Sequence, residues 1–457
     1  MSIDKFIYKL KQIVPKNLLL KKEDLYVYAH DTSQNPDEII LPLAVTFPKN
    51  AKEVSEIVKL CSEYNISIIP RAQGTNHCGA TRPVKNSIVV HFSNMNKIIE
   101  INKTNLTAIV EPNIAIGDLN KELDKLNLFF PPDPSNLAVS TIGGAIGLCS
   151  GGPRTFKYGN TKNYVINLEV VLSDGTIIET SKDIAKNVTG YDLTSIFTGS
   201  EGTLGLITKA TLKLLPKPQT RLLTLAYFDT LQEAGICSNE IINNGLIPST
   251  IDLIDKITLQ TIEKFNPCGF LTNKVAMLLI ELDGFQECVN FEQKILKEIL
   301  DKNNAKNIIQ TKNEKENEEI WRARRSAFSA LTQLKPNVIT EDIVIPRERI
   351  VDFINKVSEL SKKYNIITAT MGHIADGNIH PNFALDLEVD SEKFEKLKDE
   401  LFNYAISVKG TLSGEHGIGT QKQKYIPCAI EKNALSLMKQ IKKLLDPKDI
   451  FNTGKSL

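Results

Sequence analysis

The chain has 457 residues, of which 42% are hydrophobic and 24% charged, as in ordinary soluble globular proteins. Its 55 basic and 54 acidic residues nearly cancel, so net charge offers no attraction to nucleic acid or to an anionic membrane. The seven cysteines are scattered and never in Cys-x-x-Cys spacing, which argues against disulfides and against an iron–sulfur cluster bound by this chain. We therefore expect a cytoplasmic protein of several domains.

The first residues predict a helix followed by a polar arm. Apolar side chains recur at helical spacing over residues 3–14, and residues 31–35 are rich in turn-forming side chains. The nearby lysines precede neither an apolar core nor a cleavage site, so we expect no signal peptide. No apolar run reaches the roughly 18 residues of a membrane span.

Strands and helices alternate from residue 39 onward. Residues 39–47 predict a strand, a helix begins near Asn50, and residues 66–69 predict a buried strand that ends at Pro70. The small and polar residues 71–80 follow. Such a loop can offer successive backbone N–H groups to a diphosphate, although it matches no standard nucleotide-binding pattern and a plain connecting loop is the alternative.

Glycines and prolines punctuate the next hundred residues. Residues 141–147 predict a glycine-paired helix start, where a flat ring can lie against backbone and an anion can meet free N–H groups. Asp174-Gly175 predicts a hairpin between residues 164–172 and 176–180. The prolines of residues 216–218 mark a domain boundary.

The second half predicts an antiparallel sheet with helices on one face. Strands are predicted at 222–228, 275–282, 366–371 and 379–385, and helices at 231–243, 285–300, 347–364 and 391–408. A charged helix is predicted over residues 314–334. In it Arg322 can pair with Glu318 and Glu319, whereas Arg324 has no such partner and is left for a ligand carboxylate, or for solvent.

Two of the chain's six histidines flank Asp376-Gly377, a dipeptide that favours a two-residue type I′ hairpin turn. Such a turn would place His373 directly opposite His380, with Cβ atoms roughly 5 Å apart. A further imidazole and a carboxylate stand together at Glu415 and His416, between glycines. Two histidines and one glutamate can hold a metal with open positions. The alternative is a hairpin with partly exposed histidines and an unrelated surface glutamate.

Several segments together carry a family resemblance. They are residues 131–135 with 141–144, 157–161, 168–175, 190–193, 199–208, 372–380, 413–419, 446–447 and 452–455. They resemble the FAD-linked 2-hydroxy-acid dehydrogenases of the vanillyl-alcohol-oxidase superfamily. This branch contains the glycolate oxidase flavoprotein subunit, D-lactate dehydrogenase and D-2-hydroxyglutarate dehydrogenase, and the resemblance covers about residues 35–457.

The resemblance implies an α+β fold in which a two-part FAD-binding domain of the PCMH type precedes an antiparallel-sheet cap domain with helices on one face. The expected organisation is an N-terminal helical arm (1–36), the FAD-binding domain (37–216), the substrate or cap domain of the FAD-linked oxidase C-terminal type (217–446), and a segment that returns to the FAD domain (447–457).

The resemblance also implies the ligands. Noncovalent FAD would lie with its pyrophosphate on residues 71–80, contacted by Arg71, Ala72, Gln73, Gly74, Thr75, Asn76, Asp133, Thr141, Gly143, Gly144, Gly151, Glu201, Gly205 and Ile207. One divalent metal (zinc, manganese or iron) would be held by His373, His380 and Glu415. His416 would act as the catalytic base, and Arg324 and Asn382 would bind substrate.

The implied activity is oxidation of a small D-2-hydroxy acid, D-lactate or glycolate, to the 2-oxo acid. Electrons would pass to an iron–sulfur subunit, an electron-transfer flavoprotein or a quinone. A larger acid such as D-2-hydroxyglutarate is one alternative, although Phe328 replaces a polar contact of those enzymes. A noncatalytic FAD-binding electron-transfer subunit is another. The resemblance leaves open a homodimer and attachment through partners to the inner face of a membrane.

Overall fold

Short strands and capped helices build the structure, a computed structural model that describes residues 2–33 and 39–457. In chain order the helices are α1 (Ile3–Ile13), α2 (Lys22–Tyr26), α3 (Ala51–Tyr64), α4 (Ile116–Asp124), α5 (Ile142–Leu148), α6 (Thr155–Tyr158), α7 (Leu193–Phe197), α8 (Leu231–Asn243), α9 (Lys256–Phe265), α10 (Gln286–Lys302), α11 (Glu314–Arg325), α12 (Ala327–Leu331), α13 (Ile350–Tyr364), α14 (Leu387–Ser407), α15 (Ile426–Ala429) and α16 (Lys432–Leu445).

The strands are β1 (Leu18–Leu19), β2 (Val45–Thr46), β3 (Ser67–Arg71), β4 (Ser87–His91), β5 (Ile98–Asn102), β6 (Thr107–Val110), β7 (Leu128–Phe129), β8 (Val165–Val171), β9 (Ile177–Glu179), β10 (Leu206–Lys213), β11 (Leu215–Pro216), β12 (Thr220–Phe228), β13 (Thr250–Asp255), β14 (Ala276–Gly284), β15 (Lys306–Gln310), β16 (Asn337–Thr340), β17 (Ile343–Val344), β18 (Ile367–His373) and β19 (Asn378–Leu385).

Contacts divide the chain into two units, each built from separate stretches of sequence. The first unit comprises Met1–Gly151, Asn160–Lys217 and Glu415–Leu457, and the second comprises Gly152–Gly159 and Pro218–Gly414. The return segment of the first unit thus begins at Glu415, earlier than the residue 447 expected from the sequence. The expected boundary after residue 36 and part of the turn at 31–35 lie outside the described residues.

The first unit contains one largely parallel sheet, one five-stranded antiparallel sheet and a two-stranded pair of β7 with β11. The parallel strands follow the order β1-β2-β4-β3, with β1 antiparallel at the edge. The antiparallel sheet follows β5-β6-β10-β8-β9. Helix α3 connects β2 to β3. It begins where the Asn50 side chain accepts the N–H of Glu53 and ends at left-handed Asn65, as cap chemistry favours.

Side chains from α1, α3 and the parallel strands form the main core of the first unit. Phe6 and Leu10 of α1 and Ile57 of α3 are fully buried there beside Phe451, near the end of the chain. Phe451 also forms a parallel bridge with Ile68 of β3. Burying an aliphatic or aromatic side chain of this size contributes about 2 kcal/mol, so the core holds the last residues firmly.

The second unit is organised by one antiparallel sheet. Its strand order is β15-β12-β14-β13-β18-β19-β16, and β17 pairs with β19 beside β16. Side chains of β12, β13, β14 and β18 pack with α9, α11 and α12 in a core that contains Tyr227 and Trp321. Helices α8 and α10 contact β12 and β14 outside this cluster. Strands β13 and β18 therefore lie near the middle of the sheet, where the polar side chains discussed below are buried.

A short stretch between two parts of the first unit belongs to the second unit because of its polar contacts. The Lys157 Nζ lies 2.6 Å from Oδ1 of Asp283, and the Tyr158 hydroxyl donates to Oδ2 of the same carboxylate at 2.6 Å. The Arg154 Nε lies 3.8 Å from the fully buried carboxylate of Glu281. These contacts fix residues 152–159 on β14.

The α+β fold class and the antiparallel sheet are confirmed. The hairpin at Asp174-Gly175 is also confirmed, since β8 pairs with β9 and Gly175 has a φ of +82°. Among the described residues, no helix combines the length and the apolar character needed to cross a membrane.

Two elements were predicted too long. The strand expected over residues 39–47 is reduced to Val45–Thr46, because Pro42 has no N–H to donate to a neighbouring strand. The helix expected over 314–334 is interrupted at Ser326 and continues as α12. The Ser326 hydroxyl donates to the carbonyl of Ala323, a local bond that competes with regular helix geometry.

Candidate active site

The two histidines lie on β18 and β19, but the turn between these strands differs from the prediction. Gly377 is left-handed, with φ +82° and ψ 9°, whereas the three residues before it, Ile374–Asp376, form a 3-10 turn. A type I′ turn would need positive φ at Asp376 as well. The connecting loop is therefore four residues long, and it is closed by the pair of His373 and Asn378. The predicted pairing of His373 with His380 is wrong.

The histidines nevertheless meet, as diagonal neighbours. His380 pairs with Met371, so the register differs from the predicted one by two residues. Because strand side chains repeat every two residues, this shift leaves both imidazoles on the same face of the sheet. Their ring centroids are 5.2 Å apart with the planes at 80°, and each residue is only 4% exposed. The alternative of a partly exposed pair is therefore excluded.

A buried carboxylate stands behind His373. Asp252 on β13 is the direct cross-strand partner of His373 on β18. Its Oδ1 lies 2.5 Å from the His373 Nδ1, and its Oδ2 accepts a 2.6 Å hydrogen bond from the Arg324 Nε. Burial alone would raise the pKa of Asp252, but the charge and hydrogen bonds of Arg324 and His373 outweigh it and hold the pKa below its ordinary value. Asp252 is therefore ionised at neutral pH.

A second buried carboxylate stands behind His380. The Asp342 Oδ1 lies 3.7 Å from the His380 Nδ1, an electrostatic contact rather than a hydrogen bond. The Asp342 Oδ2 accepts hydrogen bonds from the Ser413 hydroxyl at 2.6 Å and from the Gly414 N–H at 2.9 Å. Each imidazole thus has a carboxylate on its Nδ1 side, which directs Nε2 away from that carboxylate.

Arg324 is not the unpaired arginine that its helix pattern predicted. Helical spacing reveals only partners on the same helix, whereas Asp252 comes from a strand 72 residues earlier. Arg324 is 5% exposed, on the last turn of α11. One of the two expected partners of Arg322 is also engaged elsewhere, since Glu318 pairs with Arg221 at 3.0 Å and with Arg325 at 4.0 Å.

Asn382 lies on β19, two residues beyond His380, and is 1% exposed. Its amide nitrogen donates to the carbonyls of Ala369 and His380, and its amide oxygen accepts from the Thr340 hydroxyl at 2.7 Å. The side chain therefore ties three neighbouring strands together beside the histidines.

The remaining predicted residues belong to the first unit. Glu201 has a left-handed φ of +52° and is buried, and its carboxylate accepts the N–H groups of Ile418 at 2.7 Å and Gly419 at 2.8 Å. Burial raises the pKa of Glu201, although these two hydrogen bonds oppose the shift. Glu201 thus holds the segment that carries Glu415 and His416, in addition to any contact with a cofactor.

The His416 ring packs against His77 within the first unit. Their ring centroids are 5.2 Å apart and the planes are inclined by 38°. Because His77 lies on the 71–80 loop, this contact connects that loop with the segment after Glu415.

The 71–80 loop turns at a left-handed glycine. Gly74 has a φ of +68°, and a Cβ there would lie 2.3 Å from the Arg71 guanidinium. The Asn76 side chain shapes the loop by accepting the N–H groups of Cys78 at 3.2 Å and Ala80 at 3.0 Å. The backbone N–H groups of residues 72–75 donate to none of the residues that the structure describes. Four such donors around a left-handed glycine suit a diphosphate.

The other predicted FAD contacts are spread over the first unit. The Thr141 hydroxyl caps α5 by accepting the N–H of Gly144 at 3.2 Å, and Gly143 lies in the first turn of that helix. Asp133 is buried, Gly151 ends the first stretch of the unit, and Gly205 and Ile207 lie at the start of β10. These residues come from four different places in the sequence.

Sequence reasoning missed Asp252 and Asp342. A signal existed for the first, because it interrupts the apolar residues of β13, and a carboxylate inside a buried strand needs a charged or hydrogen-bonding partner. Nothing in the sequence identified that partner. Asp342 follows another acid, Glu341, between two short strands, where a solvated pair is the usual interpretation.

Comparison with known proteins identifies the family. Residues 217–456 match the family described as "FAD linked oxidases, C-terminal domain", and residues 42–181 match the "FAD binding domain" family. The glycolate oxidase subunit GlcD of Bacillus subtilis is 41% identical over 96% of this chain and 94% of its own length. The mitochondrial D-lactate dehydrogenase [cytochrome] of Arabidopsis thaliana is 30% identical over 98% of this chain and 79% of its own.

A solved structure of p-cresol methylhydroxylase with substrate bound shares the fold. It superposes with a TM-score of 0.82 at 18% identity, covering 99% of this chain and 96% of that one. With the two domain matches, these similarities agree with the antiparallel sheet described above. The chain belongs to the FAD-linked oxidases, in the 2-hydroxy-acid branch of the vanillyl-alcohol-oxidase superfamily, and is an FAD-linked oxidoreductase.

Proposed function

We propose that the protein oxidises a small D-2-hydroxy acid, D-lactate or glycolate, to the corresponding 2-oxo acid. The names of its relatives support these substrates. The observation that carries the proposal is the buried group in the second unit, where Asp252 contacts both His373 and Arg324. A cation-binding imidazole and a carboxylate-binding guanidinium held by one side chain suit a substrate with adjacent hydroxyl and carboxylate groups.

The proposal includes one divalent metal, zinc, manganese or iron, held by His373, His380 and Glu415. Two features support the ligand set. Both imidazoles have carboxylates on their Nδ1 sides, so Nε2 is the ring nitrogen that would bind a cation. Glu415 follows Gly414 directly in the chain, and the Gly414 N–H is fixed on Asp342. The metal, when bound, supplies Lewis acidity that lowers the pKa of the substrate hydroxyl.

The chain's own residues would then bind the substrate and move its proton. Arg324 binds the substrate carboxylate, and its Nε bond to Asp252 leaves the two terminal nitrogens for that purpose. His416 accepts the hydroxyl proton. FAD, when bound, would supply the two-electron oxidant that the removal of the α-hydrogen requires. We assign Asn382 a supporting role instead of the expected substrate contact, because its amide already has three protein partners.

We further propose that the electrons leave to a separate acceptor, namely an iron–sulfur subunit, an electron-transfer flavoprotein or a quinone. Several relatives are named as subunits of glycolate oxidase, and others as cytochrome-linked dehydrogenases. Attachment to the inner face of a membrane would be through such partners.

A substrate panel with an artificial dye acceptor tests the function. We expect the highest kcat/KM for D-lactate or glycolate and none for the L-enantiomer of lactate. Phe328, which replaces a polar contact of the hydroxyglutarate enzymes, lies in α12, just after the helix that carries Arg324. A preference for D-2-hydroxyglutarate would favour the larger substrate. Absence of turnover with every hydroxy acid, in protein that contains FAD, would favour a noncatalytic electron-transfer subunit.

A further inference from the structure

We infer that Asp252 is a positioning residue that couples the metal ligand His373 to the substrate-binding Arg324. The inference rests on the proposed function, because both neighbours act there. Asp252 would act only through these two side chains. It would set the tautomer of one and the orientation of the other, so that metal and substrate carboxylate are bound at fixed positions relative to each other.

The first observation is the geometry of the carboxylate. Asp252 lies on β13, directly opposite His373, and is completely buried. Each of its oxygens serves a different partner, with Oδ1 at 2.5 Å from the His373 Nδ1 and Oδ2 at 2.6 Å from the Arg324 Nε. Such distances are at the short end for charge-assisted hydrogen bonds. The three side chains therefore form one rigid group.

The second observation concerns the His373 tautomer. The Asp252 Oδ2 already accepts the Arg324 Nε–H, and Oδ1 lies 2.5 Å from the His373 Nδ1, so this pairing favours the tautomer in which Nδ1 donates. In neutral imidazole the other nitrogen, Nε2, then has the lone pair that a metal needs. Without Asp252 either tautomer would be available, and the ring could rotate. Asp252 thus selects the nitrogen that is presented to the metal.

The third observation concerns Arg324. The bond to Asp252 uses Nε, at the side of the guanidinium group, and fixes the plane of the group. In the part of the chain that the structure describes, Nε is the only nitrogen of this guanidinium with a protein hydrogen bond. The terminal nitrogens are left as a planar fork, the arrangement that binds a carboxylate with two parallel hydrogen bonds.

A neighbouring aspartate supplies the control. Asp255 lies three residues later on the same strand and is also buried, but it contacts neither His373 nor Arg324. It caps α9 by accepting the N–H of Thr258 and also accepts the N–H of Thr370. Burial raises the pKa of Asp255 to about 6. Substituting Asp255 therefore perturbs the same strand without removing a contact of His373 or Arg324.

The test compares Asp252→Asn with Asp255→Asn in the FAD-containing protein stripped of metal. An asparagine amide has one acceptor and one donor end, so it cannot accept both N–H groups that Asp252 accepts. We expect the Kd for Mn²⁺, measured by the electron paramagnetic resonance of the free ion, to rise about 10- to 100-fold in Asp252→Asn. At saturating Mn²⁺ the KM for D-lactate should rise more than kcat falls. Asp255→Asn should leave the Kd for Mn²⁺ and the KM for D-lactate unchanged.

Two results would overturn the inference. One is an Asp252→Asn protein with the Mn²⁺ affinity and KM of the unaltered protein. The other is an Asp255→Asn protein with the same losses as Asp252→Asn, which would show that any damage to β13 has these effects.

A measurement on the unaltered protein covers the case in which Asp252→Asn does not fold. With ¹⁵N-labelled histidine, the chain gives six imidazole signals to assign. We expect a neutral imidazole with hydrogen on Nδ1 and a proton resonance far downfield, as a 2.5 Å bond to a carboxylate produces. An Nε2–H tautomer at His373 would contradict the inference. If the unaltered protein bound no Mn²⁺, the metal proposal would fail, while this tautomer and the KM of Asp252→Asn would still decide the role of Asp252.

Discussion

At the scale of single residues, His380 separates metal binding from flavin binding. It lies in the second unit on β19, whereas the loop that suits the FAD diphosphate lies in the first unit. We expect His380→Ala to keep the flavin absorption spectrum and to lose metal and activity together. Metal analysis beside single-turnover flavin reduction measures both. Full activity of metal-stripped, unaltered protein would contradict the metal site.

His416 separates proton transfer from metal binding. We expect His416→Ala to keep metal and flavin and to lose activity by at least a factor of about 100, the usual scale for removing a general base. The matched control is His77→Ala, because His77 packs on the same ring without being the proposed base. Flavin reduction in a single turnover is the appropriate measurement. Retained activity in His416→Ala would show that His416 is not the catalytic base and would leave the metal proposal unaffected.

His91 makes stability depend on pH. Burial, assisted by the charge of Arg71, lowers the pKa of His91 to about 4, and the ring lies among Tyr28 and Phe47 with Nδ1 accepting the Ser93 N–H. The unfolded chain binds this proton near pH 6.5 and the folded protein only near pH 4. Stability is therefore complete above pH 6.5 and falls as pH decreases through this window, by at most about 3 kcal/mol.

The variant His91→Asn checks this dependence. Asparagine can still accept the N–H two residues later but does not titrate. Urea unfolding of both proteins is followed by flavin fluorescence at pH 6.5 and at pH 4. We expect the urea midpoint of His91→Asn to change less between these two pH values than the midpoint of the unaltered protein. If the urea midpoints of the two proteins changed equally with pH, His91 would not be the source of the pH dependence.

At the scale of elements, the β18–β19 hairpin shows what a sequence pattern can and cannot predict. Asp376-Gly377 marked the turn correctly, but the dipeptide did not reveal that Ile374–Asp376 would form a 3-10 turn. The contact of Gly377 with Ile345 is distant in sequence and helps to select the longer loop. The two imidazoles lie on the same face, as predicted, only because the observed register differs from the predicted one by two residues. A difference of one would have placed the imidazoles on opposite faces.

Gly377 gives the element-scale prediction. A Cβ at Gly377 would lie 2.0 Å from the Ile345 carbonyl oxygen, whereas Gly245 has nearly the same φ, +84° against +82°, and open space around it. Both alanine variants incur the strain of positive φ, about 1 kcal/mol. Only Gly377→Ala must also move backbone, so we expect it to lose more stability in urea and to bind Mn²⁺ more weakly. Equal losses in the two variants would contradict this account.

Local cap and turn chemistry was predictable where both partners are close in sequence. Asn50 opens α3 and Thr141 opens α5, as the side chains indicated. Long-range partners were not predictable. No periodicity indicates that Arg324 will meet Asp252, and for this reason the arginine was expected to be unpaired. Strand β13 was overlooked as well, because Asp252 and Asp255 break its apolar pattern.

At the scale of the whole molecule, each unit depends on a segment that the sequence assigned elsewhere. Residues 152–159 lie within the stretch expected to form the FAD-binding domain, yet Lys157 and Tyr158 contact Asp283 of the second unit. Residues from Glu415 onward return to the first unit, where Glu201 holds Ile418 and Gly419. Prolines and glycines mark such crossings only weakly, since the contacts that decide them connect residues more than 100 positions apart.

The last prediction concerns the path of electrons out of the molecule. All seven cysteines are free, and three of them, Cys61, Cys78 and Cys237, are buried. Among the described residues, the groups of three or more potential metal ligands contain no cysteine. An iron–sulfur cluster needs several thiolates at one place, and the described residues bring no such set of cysteines together.

We therefore expect the isolated protein to reduce an artificial dye rapidly with D-lactate or glycolate, and to react slowly with oxygen or NAD as sole acceptor. Oxygen consumption, peroxide formation and dye reduction, measured on the same preparation, test this. A cognate iron–sulfur protein or electron-transfer flavoprotein, added in excess as the electron acceptor, should be reduced rapidly in the absence of dye. Rapid turnover with stoichiometric peroxide would instead make the protein an oxidase, with oxygen reaching the reduced flavin directly.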